Sequence, residues 1–246
     1  MSIATLANPG NTKLGPRIHS WSLPADEKIC VGASQLCSGL CYAKKGFFNM
    51  PSVEKAYAKN YAFSQTDGFA EWMIHSIAAK MASLARVHPS GEFYDVPYVD
   101  KWITIAKGTR RTEYFGYSRA WRDAAILPHL IAFAALPNVD LWWSIDRETG
   151  PAPAIKGIKR AYMAINDTDA KTAPNDCDLV FRAKRNTVMK RANGIQVCPP
   201  ENGVPTKNKI TCSSCGICYN TKLPRWEADL AVELQSYGEI NVPEDI

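Results

Sequence analysis

Short apolar runs alternate with stretches of helical period along most of the chain. The apolar runs are rich in Val, Ile, Trp, Tyr and Phe and are bounded by Pro, Gly or Asn, which is typical of β-strands. Strands are predicted at Ile18–Leu23, Arg86–His88, Glu113–Tyr117, Val139–Ile145, Ala161–Ile165, Leu179–Phe181 and Gly194–Val197.

The clearest helical pattern spans Phe69–Leu84, where apolar side chains recur mainly on one face. Pro128 suits the first turn of a helix better than its interior, because its ring fixes φ and removes a hydrogen-bond donor. Other helices are predicted at Ser52–Phe63, at Val99–Ala106, from near Pro128, and at Arg225–Ser236.

Strands that alternate with helices predict an α/β fold built from βαβ units around a mostly parallel sheet. Six or seven such units in 246 residues fit an open or partial (β/α) barrel. We expect residues 1–197 to form this barrel and residues 198–246 to form a cysteine-rich segment packed on it, as a single structural unit.

Composition narrows the class of protein. Hydrophobic residues make up 46% and charged residues 22%, as in ordinary globular proteins, and the net charge of +5 permits nucleic-acid binding without indicating it. The N-terminus does not read as a secretory signal, and no apolar run is long enough to span a membrane. A cytoplasmic protein without a membrane partner is therefore expected.

Phosphate-binding glycine loops, nucleophile elbows and dinucleotide fingerprints are missing from the sequence, which argues against common kinases, hydrolases and dehydrogenases.

Eight cysteines in a reducing compartment indicate metal ligation rather than disulfides. The C-terminal set places Cys212, Cys215 and Cys218 at consecutive two-residue gaps, with Cys198 more distant and followed by Pro. This spacing favours a [4Fe–4S] cluster, although zinc or unligated thiols are alternatives.

The N-terminal set contains three cysteines, Cys30, Cys37 and Cys41. Three thiolates would leave one iron of a [4Fe–4S] cluster without a protein ligand, so that a substrate or cofactor could bind there. A zinc knuckle or buried thiols are the alternatives, since cysteine packs well as a small hydrophobe. Cys177 has no spacing partner and is interpreted as an incidental thiol.

Polar residues follow several predicted strands, where the working residues of (β/α) barrels lie. Glu92 could hold the amino group of an aminoacyl-type cofactor, since the neighbouring Gly91 allows close approach; a solvated turn is the alternative. Further candidates to ring the same edge are Ser90, Arg119, Asp146, Arg147, Asn166, Arg182 and Lys184.

Several motifs together resemble the phage-borne family called gene product eighty-eight. They are Asn11–Gly15, the C-x6-C-x3-C-Y-A-K-K-G stretch from Cys30, Ser90–Tyr94, Gly116–Trp121 and the closing C-x2-C-x2-C. The resemblance covers nearly the whole chain and implies a phage protein acting in the cytoplasm of the infected host cell.

More distantly, the pattern is similar to that of radical S-adenosylmethionine enzymes. Those enzymes carry a three-cysteine loop after the first strand of a partial barrel, a Gly-Gly-Glu-Pro-like motif after the second, and often a C-terminal auxiliary cluster. The similarity implies a cluster on Cys30, Cys37 and Cys41, and places Ser90–Phe93 beside S-adenosylmethionine. This sequence departs from the pattern in its cysteine gaps of six and three, its single glycine and its Phe93.

Three functions remain open from the sequence, the third being a former enzyme that keeps its cluster without S-adenosylmethionine. The first is an iron–sulfur protein with one or two [4Fe–4S] clusters that performs redox or radical chemistry on an unknown small molecule, with catalytic residues not identified. The second is a non-catalytic phage protein, braced by clusters or zinc, that binds a host protein or nucleic acid.

Overall fold

Six parallel strands form one open sheet in which spatial order follows chain order. The computed structural model describes residues 6–7, 12–201 and 210–219. The strands of this sheet are β1 (His19–Trp21), β2 (Leu84–Val87), β3 (Glu113–Ser118), β4 (Val139–Ile145), β5 (Lys159–Ala164) and β6 (Leu179–Arg182). A short antiparallel pair follows, formed by β7 (Arg191–Ala192) and β8 (Ile195–Gln196).

The helices begin where the sequence offers a cap or a proline. Proline occupies the first turn of α2, α4 and α5, and the Asp95 side chain caps α4 by accepting a hydrogen bond from the Tyr98 amide at 2.8 Å. The helices are α1 (Gln35–Leu40), α2 (Pro51–Ser64), α3 (Phe69–Ala79), α4 (Val96–Gly108), α5 (Leu127–Ala134), α6 (Asp167–Ala170) and α7 (Cys212–Cys215). Short 3-10 turns occur at Tyr42–Lys44, Gly46–Asn49, Ala120–Arg122 and Pro199–Glu201.

The two faces of the sheet have different coverings. Right-handed crossovers between neighbouring parallel strands place their helices on one face, and there Trp102 of α4 and Phe133 of α5 join a large core with Trp143 of β4. On the other face, Phe115 packs in a smaller cluster with Leu14 and Tyr219, which come from the segments near the two ends of the chain. We call this second side the helix-free face, because the crossover helices α3, α4 and α5 pack on the other side; the one-turn helix α7 lies at this face.

The α/β fold with a parallel sheet is confirmed, and six of the predicted strands occur within two residues of their predicted starts. The predicted helix Phe69–Leu84 is too long. It ends at Ala79, because Met81 adopts a left-handed φ of 47° and the chain then enters β2. Met81 is 88% exposed, so this apolar residue does not face the core although it fits the helical pattern of the sequence.

The last predicted strand, Gly194–Val197, does not extend the main sheet as a strand. Asn193 and Gly194 have positive φ values of 49° and 79°, which turn the chain back into the short β7–β8 pair. Val197 then makes only an isolated parallel bridge to Val180. The predicted helix Arg225–Ser236 lies outside the described residues. Within the described ranges, no helix combines the length and apolar character that a membrane span requires.

Candidate functional site

The three-cysteine loop follows β1 and is tied to the carboxyl ends of two other strands. Ser34 caps α1 by accepting a hydrogen bond from the Cys37 amide at 2.9 Å, and its hydroxyl donates to Asp146 Oδ2 at 2.6 Å. Asp146 comes directly after β4, so one serine fixes both the helix that carries Cys37 and its place on the sheet.

Gly32 allows the same loop to lie against the backbone that follows β3. A Cβ at this position would overlap the Arg119 carbonyl, and the Gly32 carbonyl accepts a hydrogen bond from Arg122 Nη1 at 3.0 Å. Only glycine permits such close approach of two backbones. The loop is therefore held where the sequence predicts it, at the carboxyl edge of the sheet.

The three thiols of this loop lie close enough to influence one another. Burial, together with the nearby Glu92, Cys37 and Cys41, raises the pKa of Cys30 to about 12. Burial also raises the pKa of Cys37, against the opposing effect of the Arg119 guanidinium. Because the pKa values of Cys30 and Cys37 are raised, a metal that bound these two thiols would have to displace their protons.

Glu92 lies beside these cysteines in a buried position. Its Oε1 accepts a hydrogen bond from the Phe93 amide at 2.8 Å, and its Oε2 accepts one from the Arg119 amide at 2.6 Å. Burial raises the pKa of Glu92 to about 7 although both hydrogen bonds favour the carboxylate. The side chain thus links the turn after β2 to the end of β3.

Ser90 and Gly91 build the turn that presents Glu92. The Ser90 hydroxyl donates to the Leu23 carbonyl at 2.8 Å. Gly91 has a φ of 83°, and a Cβ added to it would lie only 2.5 Å from the Leu23 Cβ, so a larger residue would not fit. Both residues hold the turn after β2 against the end of the β1 segment. Their contact with a cofactor stays a prediction.

Arg119 forms a buried ion pair with Asp146. The side chains are 6% and 0% exposed. Burial works to raise the pKa of Asp146, but the Arg119 guanidinium and the Ser34 hydroxyl hold it below its usual range. The predicted cofactor-binding Arg119 therefore has a structural contact with Asp146.

The C-terminal cysteines lie on the helix-free face. The Cys198 amide donates to the Val180 carbonyl of β6 at 2.9 Å, and the Cys212 and Ser213 amides donate to the Lys13 and Leu14 carbonyls at 2.9 Å each. The N-terminal segment thus anchors the first turn of α7, and β6 anchors Cys198.

Cys218 makes direct contacts with two strands of the sheet. The Tyr117 hydroxyl donates to Cys218 Sγ at 2.6 Å, and Trp142 Nε1 donates to the Cys218 carbonyl at 3.1 Å. Burial raises the pKa of Cys218 to about 12, with Cys212 and Cys215 as further contributors. Burial also raises the pKa of Cys198, and Cys218 and Cys212 are among its neighbours. The four sulfurs therefore share one region of the helix-free face.

Arg86 on β2 stands beside this region. Its guanidinium lies 5.6 Å from the centre of the Tyr117 ring, and its Nε is enclosed without a hydrogen-bond partner in the described part of the chain. Burial acts to lower the pKa of Arg86, but Tyr42, Tyr117, Cys212 and Cys218 raise it overall. Arg86 therefore lies within electrostatic reach of Cys212, Cys218 and Tyr42, the residue that follows Cys41.

The cysteines of each region lie near one another, but their side chains are not arranged around a common point as metal ligands would be. Across residues 6–7, 12–201 and 210–219, no group of three or more His, Cys, Asp or Glu side chains stands in an arrangement that would hold a metal ion. All eight cysteines are free thiols in the structure.

The remaining candidates have separate positions. Cys177 is 7% exposed and has Asp176, Arg160 and Asp178 as its charged neighbours, rather than another cysteine. The Asn166 side chain caps α6, and Arg182 pairs with Asp167. Sequence reasoning missed Ser34, Arg86 and Tyr117, whose roles depend on contacts between distant segments. Only a serine three residues before Cys37 offered a local signal, as a helix cap.

A family model matches residues 3–221, which is most of the 246-residue chain, and its description is Gene product 88. The chain belongs to the Gene product 88 family. The predicted resemblance to this phage family is thereby confirmed. No curated protein and no solved structure matches the chain, so the similarity to radical S-adenosylmethionine enzymes gains no support.

The anchor between the family's N-terminal and C-terminal motifs can be tested at Gly15. Its φ is 87°, and a Cβ would lie 2.6 Å from Thr211 Oγ1 and closer still to the Ser213 hydroxyl. Gly15→Ala should destabilise the protein by about 2–4 kcal/mol, from backbone strain and loss of the α7 contact. Gly157→Ala is the matched control, since Gly157 has a φ of 85° in open space. Urea unfolding of both variants separates the two costs, and equal losses would contradict the proposed anchor.

Proposed function

We propose that this protein is an iron–sulfur protein that performs redox chemistry. Cys198, Cys212, Cys215 and Cys218 would hold one [4Fe–4S] cluster, and Cys30, Cys37 and Cys41 would hold a second with one iron open to a substrate. The observation that carries the proposal is the placement of Cys198 in one region with the Cys212–Cys218 stretch, where Cys212 and Cys218 lie within electrostatic reach of Arg86, a cation without a carboxylate partner among the described residues.

The charges of the C-terminal region suit such a cluster. Four neutral thiols give Arg86 nothing to neutralise, whereas four thiolates on a cluster carry net negative charge that a guanidinium would balance. The Tyr117 hydroxyl already donates to Cys218 Sγ, and hydrogen bonds to sulfur ligands are among the features that set cluster potentials. When bound, an iron–sulfur cluster supplies one-electron chemistry.

The N-terminal region suits a centre that meets a second molecule. The loop lies at the carboxyl edge of a parallel sheet, where α/β proteins bind their ligands. Cys30, Cys37 and Cys41 are partly accessible, while Glu92, Arg119 and Asp146 behind them are buried. The buried polar side chains thus form the inner wall of the site, and the three cysteines lie between this wall and solvent. The consecutive order of the six parallel strands also supports a partial (β/α) barrel.

The proposal does not extend to cleavage of S-adenosylmethionine. Each Glu92 oxygen already accepts a backbone amide hydrogen bond, so the carboxylate has a role in the fold without a cofactor.

Anaerobic purification with iron and sulfide analysis tests the proposal. About eight irons per chain are expected for two clusters, and about four for one. Zinc without iron would contradict redox chemistry and favour a metal-braced binding protein.

The Cys215→Ala variant assigns the C-terminal centre. It should lose about four irons and become protease-sensitive near its C-terminus, because metal binding and local folding are coupled. Cys177→Ala is the control and should keep the full iron content, since Cys177 lies apart from the other cysteines. Full iron in Cys215→Ala would refute the ligand assignment.

A further inference from the structure

The segment after the three-cysteine loop projects aromatic side chains into solvent. Phe47 is 84% exposed, Tyr42 is 52% exposed and Met50 is 47% exposed. Tyr42 and Phe47 lie on the two 3-10 turns that precede α2, and Met50 is the residue just before that helix. Helix α2 itself buries only Asn60 and Ser64, so most of its surface is unpartnered. Such a concentration of exposed apolar groups marks an interaction surface.

The same surface is strongly basic. Residues 42–59 contain four lysines and one glutamate, and all four lysines are exposed: Lys44, Lys45, Lys55 and Lys59. A cationic segment with exposed apolar side chains is complementary to an anionic partner that also has flat apolar faces.

A cavity opens within this surface. Its volume is about 370 Å³, and its walls include Phe48, Tyr57, Lys44 and Asn49. The rings of Phe48 and Tyr57 are 6.4 Å apart at an angle of 50°, and Tyr42 meets Phe48 edge-on at 5.5 Å. The cavity also contains two carboxylates, Asp26 and Glu54. Asp26 is engaged within its own turn, accepting from the Lys28 and Ile29 amides at 3.0 Å each.

We propose that residues 42–59 form a binding surface for single-stranded nucleic acid. Bases stack on Tyr42 and Phe47, one base enters the cavity against Phe48 and Tyr57, and the four lysines contact the phosphates. Lysines on the rim follow the backbone, while aromatic rings stack bases of any sequence. This surface goes beyond the proposed iron–sulfur function and needs no metal, because its residues contain no thiol.

A single strand fits better than the other anionic partners. A duplex keeps its bases stacked in pairs, so the rings and the cavity would have no base to hold. An acidic peptide would satisfy the lysines but would leave Phe47 without a planar partner. The lysines would attract any polyanion, and the aromatic rings would favour one whose bases are unpaired.

The experiment measures binding of a fluorescent oligothymidylate of about 20 nucleotides by anisotropy, using metal-replete full-length protein. Phe47→Ala should weaken binding about tenfold through lost stacking. Lys44→Ala/Lys45→Ala should weaken it by a similar factor and reduce the slope of log K against log salt by about 1.4, for two phosphate contacts on a single strand. Iron content is measured for each variant and should not change.

Matched controls remove the same groups elsewhere. Met81→Ala deletes an apolar side chain that is 88% exposed, and Lys107→Ala/Lys156→Ala deletes two exposed charges outside the surface. Both should bind as the native protein does. Equal losses in the controls would overturn the proposal, as would no binding or equal affinity for a duplex or polyglutamate. Loss of binding in Phe47→Ala, at a metal content equal to that of the native protein, would support it whether or not the iron–sulfur assignment holds.

Discussion

Replacing Arg119 by Met should lower the free energy of unfolding by about 3–5 kcal/mol, the largest effect expected from a single substitution at this site. The Arg119 and Asp146 side chains are 6% and 0% exposed, so the variant leaves a buried carboxylate without its cation. The Asp146 carboxylate keeps the Ser34 hydroxyl at 2.6 Å and the Glu148 amide at 2.8 Å, but two neutral donors do not offset a buried charge. Urea unfolding at neutral pH measures the loss.

Two comparisons make this result specific. Arg147→Met removes an exposed guanidinium from the residue next to Asp146 and should change stability by less than about 0.5 kcal/mol. The double variant Arg119→Met/Asp146→Leu should recover part of the loss, since it removes the orphaned charge as well. A loss below about 1 kcal/mol in Arg119→Met would show that solvent reaches the pair.

Much of the sheet could be predicted from the sequence because its strands are apolar on both faces. Val139–Ile145 is apolar except for Asp140 and Ser144, and in the fold Trp143 packs on the helical side while Trp142 packs on the helix-free face. Strands buried on both sides are typical of parallel sheets, so the run, the intervening helices and the sheet type all indicated one fold.

Element ends were harder to predict, because they depend on single backbone conformations. Met81 continues the apolar period of α3 but adopts a left-handed φ of 47° and faces solvent. Nothing in its side chain signals that conformation, which is uncommon for residues other than glycine, Asn or Asp. The β7–β8 turn is similar, although Asn193-Gly194 is a recognised turn signal and could have been used.

The two cysteine regions also differ in how far their positions could be predicted from local sequence. The placement of Cys30, Cys37 and Cys41 at the carboxyl edge follows from local sequence, because they come directly after β1. The contacts that hold the C-terminal cysteines do not, since Lys13 and Leu14 bind α7 across nearly the whole chain. Arg86 also gave no local signal, as an arginine inside an apolar strand acquires meaning only when Tyr117 and Cys218 are placed beside it.

Removing the N-terminal thiols should halve the iron content and leave the other centre intact. In the variant Cys30→Ala/Cys37→Ala/Cys41→Ala, about four irons per chain should remain, because the C-terminal thiols are held separately by β6 and the N-terminal segment. Its absorption and electron paramagnetic resonance spectra should match the C-terminal centre that Cys215→Ala lacks. Alanine is close to cysteine in size, and the Ser34 contacts to Cys37 N and Asp146 use no thiol, so the loop should keep its fold.

Small ligands such as cyanide or an amino acid should shift the spectrum of the native protein but not that of the variant, since only the three-cysteine centre has an open iron. An unchanged iron content would show that these cysteines hold no cluster, and a ligand response that survived in the variant would place the open iron at the C-terminal centre instead.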